Sequence, residues 1–146
     1  MIALDHPELA AVNARREVSP NGPGHFFLTE SGRGVRVRLG SLFLAETDRA
    51  VALKEVGRTV YDPVFYIPRE DVAMGRLVAV PGLRTHCPVK GEASYLALLG
   101  DVGRWIAWSY ETPLLYAAAI TGLLAFDTSR VTLEIAPAAL TCPVPA

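Results

Sequence analysis

The sequence predicts a mainly β domain of short antiparallel strands, arranged as a barrel or as two packed sheets. Three observations predict it. Val35, Val37 and Leu39 alternate with Arg36 and Arg38, the two-residue period of a half-buried strand. Turn-forming groups recur at short intervals, at Gly40-Ser41, Thr47-Asp48-Arg49 and Gly100-Asp101-Val102-Gly103. Within the body of the chain, only one stretch after a proline has the length and composition of a helix.

Taken in order, the N-terminal segment begins with a predicted helix. Asp5 is placed to cap it, and Pro7 and Glu8 suit its first turn, where a missing N–H and a negative charge are both tolerated. It ends near Val18, because Ser19-Pro20-Asn21-Gly22-Pro23-Gly24 is dense in helix breakers. Residues 1–24 are therefore read as a helical appendage with a linker, 25–136 as the domain, and 137–146 as an irregular proline-containing tail.

Inside the domain, strands are expected at 35–39, 42–45 and 50–54, forming a meander with tight turns. A fourth covers 64–67 between Pro63 and Pro68, followed by one helical turn from Pro68 to Asp71. Further strands are expected at 94–99 and 104–110, then a short helix from Leu114 to Thr121 stopped by Gly122, then strands at 123–126 and 131–135.

Composition limits the function classes. At 146 residues, 51% hydrophobic and 20% charged, the chain has enough apolar surface for a core and is not a disordered segment. Fourteen basic against fifteen acidic residues give a net charge of −1, with no basic stripe, which argues against nucleic acid as a partner. Residues 1–17 lack the basic-then-apolar pattern of a secretory signal. The longest apolar stretch, 113–126, falls short of the roughly 20 residues that span a bilayer, so no membrane role is expected and a cytoplasmic location is. Cys87 and Cys142 are too few for a disulfide framework or a four-thiolate zinc site, and reduced thiols are expected.

Chemistry-bearing residues gather in two stretches near turns, 61–71 and 85–95. Thr85-His86-Cys87-Pro88 sets an imidazole beside a thiol, yet neighbours in an extended chain point to opposite faces, so His86 is not expected to activate Cys87 directly. Cys87 reads either as a small buried hydrophobe or as a thiolate activated by Lys90 or Arg69. Arg69 suits a bidentate clamp on a carboxylate or phosphate, with Glu70 or Asp71 as an acid or base; alternatively, Glu70 and Asp71 cap a short turn and Arg69 forms a local ion pair. Trp105 and Trp108, three apart in a strand, are expected to face opposite sides, one in the core and one lining a surface. Lys90-Gly91 lacks the longer glycine-rich loop of a phosphate-binding motif.

The runs Pro68-Arg69-Glu70-Asp71-Val72, Thr85 to Tyr95 and Ala107-Trp108-Ser109-Tyr110 with Pro113 resemble, in order and spacing, the bacterial family called domain of unknown function 427. The upstream strand and Ala45-Glu46-Thr47 fit as well, and the resemblance covers about residues 34–135. It departs at Val89, where an aromatic residue is common, at Leu96, where a tryptophan is common, and after the last helix, where the aromatic cluster is reduced to Phe126. The resemblance implies a β-tent-like fold of two antiparallel sheets meeting at an angle. Proteins of that topology often hold zinc through paired Cys-x-x-Cys knuckles; this chain has none, so neither metal nor cofactor is expected. The family has also carried a nucleotidyltransferase label, which this chain does not support, because Glu46 and Asp48 follow Gly40-Ser41 too closely.

The expectation is a cytoplasmic binding domain whose concave site draws on Tyr66, Arg69, Glu70, His86, Cys87, Lys90, Trp108 and Tyr110. Its ligand is expected to be small and anionic, with His86, Cys87 and Glu70 as the catalytic candidates if a reaction occurs there. The alternative is a homo-oligomeric structural or interaction module without catalysis.

Overall fold

The computed structural model describes residues 24–57, 59 and 61–136; the expected N-terminal helix and the tail lie outside them. Eight strands form two antiparallel four-stranded sheets. The first has the order β3-β2-β1-β8, with β1 at Phe26–Leu39, β2 at Leu42–Val56, β3 at Val64–Tyr66 and β8 at Thr132–Ile135. The second has the order β4-β5-β6-β7, with β4 at Leu77–Cys87, β5 at Gly91–Leu98, β6 at Trp105–Ser109 and β7 at Leu124–Phe126.

The mainly β architecture is as expected, and three of its details correct the sequence reading. First, the predicted strands at 42–45 and 50–54 are one strand, β2, running through Thr47-Asp48-Arg49 without a turn. Here β2 itself carries an extra residue across the triplet, between the pairs Arg33–Ala50 and Val35–Thr47, and β1 carries one between Glu30–Ala52 and Arg33–Ala50. Bulges absorb the irregularity while the ladder continues. Second, β4 was not anticipated, because Pro81-Gly82 interrupts its pattern; Gly82 has a φ of +74°, and pairing with β5 breaks between Ala79 and Arg84. As an edge strand, β4 tolerates both. Third, the expected helix at 114–121 is a 3₁₀ segment, Leu115–Ile120, with Ala117 out of helical geometry at φ −109°, ψ 19°. Its ends are tied to the second sheet, by Leu114 N–H donating to the Lys90 carbonyl and Gly122 N–H to the Tyr110 carbonyl. Two turns of helix repay little of their nucleation cost, so these tertiary bonds set the conformation.

The sheets are joined through Ile67, which exchanges backbone hydrogen bonds with Leu124 at 2.7 and 2.9 Å, and through Ala73, whose N–H donates to the Leu44 carbonyl. Leu44, Ile67 and Leu124 are fully buried in the core that the two sheets share, with Val37 and Phe65. Burying each large aliphatic side chain there contributes about 1.5–3 kcal/mol. A second cluster contains Phe27, Leu53 and Tyr66 from the first sheet, Val89 from the turn between β4 and β5, Ala93 from β5, and Tyr110 and Tyr116. Adjacent residues of β3 thus divide between the clusters, Phe65 entering the first and Tyr66 the second, as strand alternation requires. No helix among the described residues is long and apolar enough to cross a membrane.

Candidate functional site

The hairpin joining β4 to β5 carries the densest group of candidate residues. Cys87 pairs with Gly91, and Lys90 N–H donates to the Cys87 carbonyl at 3.3 Å, closing a turn with Pro88 at its second position. That is the position proline's fixed φ suits. Gly91 has a φ of +111°, and a β-carbon there would stand 3.4 Å from both the Pro113 Cα and the Leu114 N. Only glycine takes that φ without strain, and a β-carbon would fill the contact with the 113–114 backbone. Val89 anchors the turn in the second cluster, 4% exposed. The hairpin therefore holds Cys87 and Lys90 in fixed positions against the first sheet.

Lys90 reaches across to the first sheet. Its ammonium donates to Glu55 Oε1 at 3.2 Å and lies 5.3 Å from the centre of the Phe27 ring. The other carboxylate oxygen of Glu55 is 2.8 Å from His25 Nε2. These three side chains are largely enclosed, 14% exposed for Lys90, 22% for Glu55 and 7% for His25. Burial alone would raise the Glu55 carboxyl, but the His25 hydrogen bond and the Lys90 charge outweigh it and leave it below its usual value.

Beside this ion chain stand two phenols. Tyr66 is 1% exposed; burial is the main cause that pushes its hydroxyl up to about 12, against an opposing hydrogen bond from the Trp108 indole N–H. Burial raises Tyr110 as well, with Tyr66 and Cys87 next in effect. A negative charge on Cys87 or Glu55 disfavours both phenolates. Both tyrosines are therefore neutral hydroxyls at physiological pH. Cys87 and Trp108 are half-buried against this cluster.

Of the eight expected residues, Tyr66, Cys87, Trp108 and Tyr110 thus pack in or against the second cluster, and Lys90 lies against the Phe27 ring of the same cluster. Arg69, Glu70 and His86 have other partners. Arg69 Nε donates to the Gly122 carbonyl at 2.8 Å and its Nη2 to Glu111 at 3.1 Å, clasping the connection between β6 and β7. Glu70 is 76% exposed and 3.9 Å from Arg49. His86 points away from Cys87, as alternation predicted, and is 63% exposed beside Glu92 at 3.6 Å. Asp71 accepts from Thr47 at 2.6 Å and from Arg49 at 3.1 Å, and those contacts, Thr47 first, hold its carboxyl low.

Two features were missed. Glu55 and His25 sit on the site although nothing local to them signals it, since their partner Lys90 is 35 residues beyond Glu55. Trp105 and Trp108 do not face opposite sides. Their rings are 6.3 Å apart at 81°, and Tyr95 packs on Trp105 at 4.9 Å. Leu96 pairs with Ala107 but Ala97 with Trp105, so Ile106 is an extra residue that returns Trp105 to the face of Trp108. Tyr95 itself shares a 2.6 Å hydrogen bond with Thr85. Among the described residues, no group of three or more His, Cys, Asp or Glu side chains could hold a metal ion.

The motif runs that structure this hairpin fall inside a match to the family model described as a domain of unknown function, DUF427, which spans residues 27–136. The chain belongs to the DUF427 family. The matched range begins at Phe27, in the second cluster, and closes just after β8, so the family unit is the two-sheet body itself. No curated protein matches the chain.

Proposed function

We propose that this DUF427 chain is a cytoplasmic binding domain for a small anionic molecule, held on the face that Lys90 shares with Tyr66, Cys87, Trp108 and Tyr110. The observation that supports this most is the position of Lys90. Lys90 is enclosed, lies 5.3 Å from the Phe27 ring of the second cluster and binds Glu55, whose charge acts on both phenols, whereas Arg69 and His86 engage Glu111 and Glu92. An enclosed ammonium attracts an anion more strongly than an exposed one. Neutral tyrosine hydroxyls donate hydrogen bonds to such a ligand without opposing its charge. Glu55 is then the internal counter-ion that the ligand competes with for Lys90.

Acetate and inorganic phosphate, titrated in a thermal-unfolding assay, should raise the melting temperature of the wild-type protein at millimolar concentrations. Lys90→Met keeps the aliphatic stem and should abolish the rise. Glu55→Gln removes the competing carboxylate and should enhance it. An unchanged melting temperature in wild type, or a rise that survives Lys90→Met, would overturn the reading.

One observation favours a second reading, in which these residues serve only to hold the sheets together or to build an oligomer. Arg69, His86 and Lys90 each already face a carboxylate, Glu111, Glu92 and Glu55 respectively. Under that reading, Lys90→Met lowers stability and no anion changes the melting temperature of either protein.

A further inference from the structure

We propose a second binding site, independent of the Lys90 face, in the cleft at the far end of β5, which takes a monocarboxylate carrying a short apolar tail. The cleft encloses about 240 Å³ and is lined by Leu39, Leu98 and Ile106 together with Arg104, Arg130, Asp101 and Ser129. Lys90 immediately precedes the first residue of β5 and Leu98 is its last, so eight residues of strand set the two sites roughly 25 Å apart.

The cleft has the two-part character of a ligand site, an apolar floor with a few converging polar groups. Ile106 is 2% exposed, and Leu39 and Leu98 pack against the core between the sheets. The floor is therefore rigid sheet, while the charged groups stand on the loops after β5 and after β7, a common arrangement for binding groups.

The two arginines differ in a way that suits recognition. Arg130 is already fixed: its Nε lies 3.4 Å from Asp127, its Nη1 donates to the Trp105 carbonyl, and its guanidinium lies 4.7 Å from the centre of the Trp105 ring. Asp127 is itself held, accepting from Ser129 N–H at 3.0 Å and Ser129 Oγ at 2.7 Å. Arg104 is exposed, and no carboxylate or hydrogen-bond acceptor among the described residues engages its guanidinium. A pre-set guanidinium beside an uncommitted one offers the planar donor fork that matches a carboxylate.

Charge selects the ligand class. Arg130 is largely compensated by Asp127, and Asp101 adds a carboxylate to the lining. The cleft is therefore near neutral overall, and Arg104, whose guanidinium is uncommitted, can pair with one carboxylate, while the second charge of a dianion such as phosphate would stand uncompensated against the apolar floor. The three aliphatic side chains then contribute only if the anion carries an apolar tail.

Hexanoate is the probe and acetate its control, followed by thermal unfolding and by amide and indole NMR shifts. Hexanoate should raise the melting temperature of wild type more than acetate does, with shifts at Trp105, Ile106 and Leu98. Arg104→Gln, whose side chain makes no contact that folding needs, should unfold at the wild-type temperature without ligand and bind hexanoate at least about tenfold more weakly. Equal effects of hexanoate and acetate, or undiminished hexanoate binding by Arg104→Gln, would overturn the assignment. Hexanoate binding lost in Lys90→Met but kept in Arg104→Gln would place the ligand on the Lys90 face, ending this proposal while sparing the other. Hexanoate binding at the cleft with no anion effect at Lys90 would do the reverse.

Discussion

Gly91 shows how one residue can carry the site. Its positive φ strains any side chain, and a β-carbon there would already touch the 113–114 backbone at 3.4 Å. Gly91→Ala should therefore cost about 1–3 kcal/mol in denaturant unfolding; a midpoint indistinguishable from wild type would show that the hairpin can relax. Two titrating residues make further predictions. Glu55 has a folded carboxyl below its usual 4.5, so its contribution is present in full above that value and is lost as pH falls through the lower folded one. The stability gap between wild type and Glu55→Gln should shrink on acidification, and a gap constant from neutral pH to about pH 3 would contradict the ion chain. Tyr66 shifts the other way, up to about 12 from 10.0. Its stabilisation holds below pH 10 and fades as pH rises from there toward 12. In Tyr66→Phe, that alkaline loss should be smaller when unfolding is followed across the range.

At the scale of elements, the contrast is between Arg69 and His86, which the sequence presented as equals. Arg69 clasps the Gly122 carbonyl and Glu111 across the β6–β7 connection. Arg69→Met should lower stability by about 1–3 kcal/mol, whereas His86→Ala, at an exposed pair, should stay within about 0.5 kcal/mol. Equal losses would contradict these placements. The same scale shows what was legible. Alternation at 35–39 and the turn at Gly40-Ser41 located the end of β1, the start of β2 and the hairpin between them, because both signals are local. The inserted Ile106 was not legible: a bulge is fixed by the partner strand, and period-two counting through it assigns Trp105 to the wrong face. β4 was hidden for a related reason, since Pro81 and Gly82 are acceptable only on an edge, and a lone sequence does not show which strand that is.

At the scale of the molecule, two sheets bonded through Ile67 and Leu124 create two apolar clusters, and the ligand-binding face proposed for Lys90 lies over the second. The sequence offered Tyr66, Cys87, Lys90, Trp108 and Tyr110 as candidates through their residue types and the family-like runs that hold most of them. It could not supply Glu55 or His25, whose roles arise only when the first sheet meets the β4–β5 hairpin. The half-buried thiol of Cys87 offers a chemical probe of the same face, and saturating anion should slow its alkylation. The most direct test is an NMR titration of the ¹⁵N-labelled full chain with phosphate. The Trp108 indole N–H and the Cys87–Gly91 amides should shift together and saturate in wild type, and stay still in Lys90→Met. Saturating shifts centred instead on His86 and Glu92, or on Arg69 and Glu111, would contradict the assignment of the site.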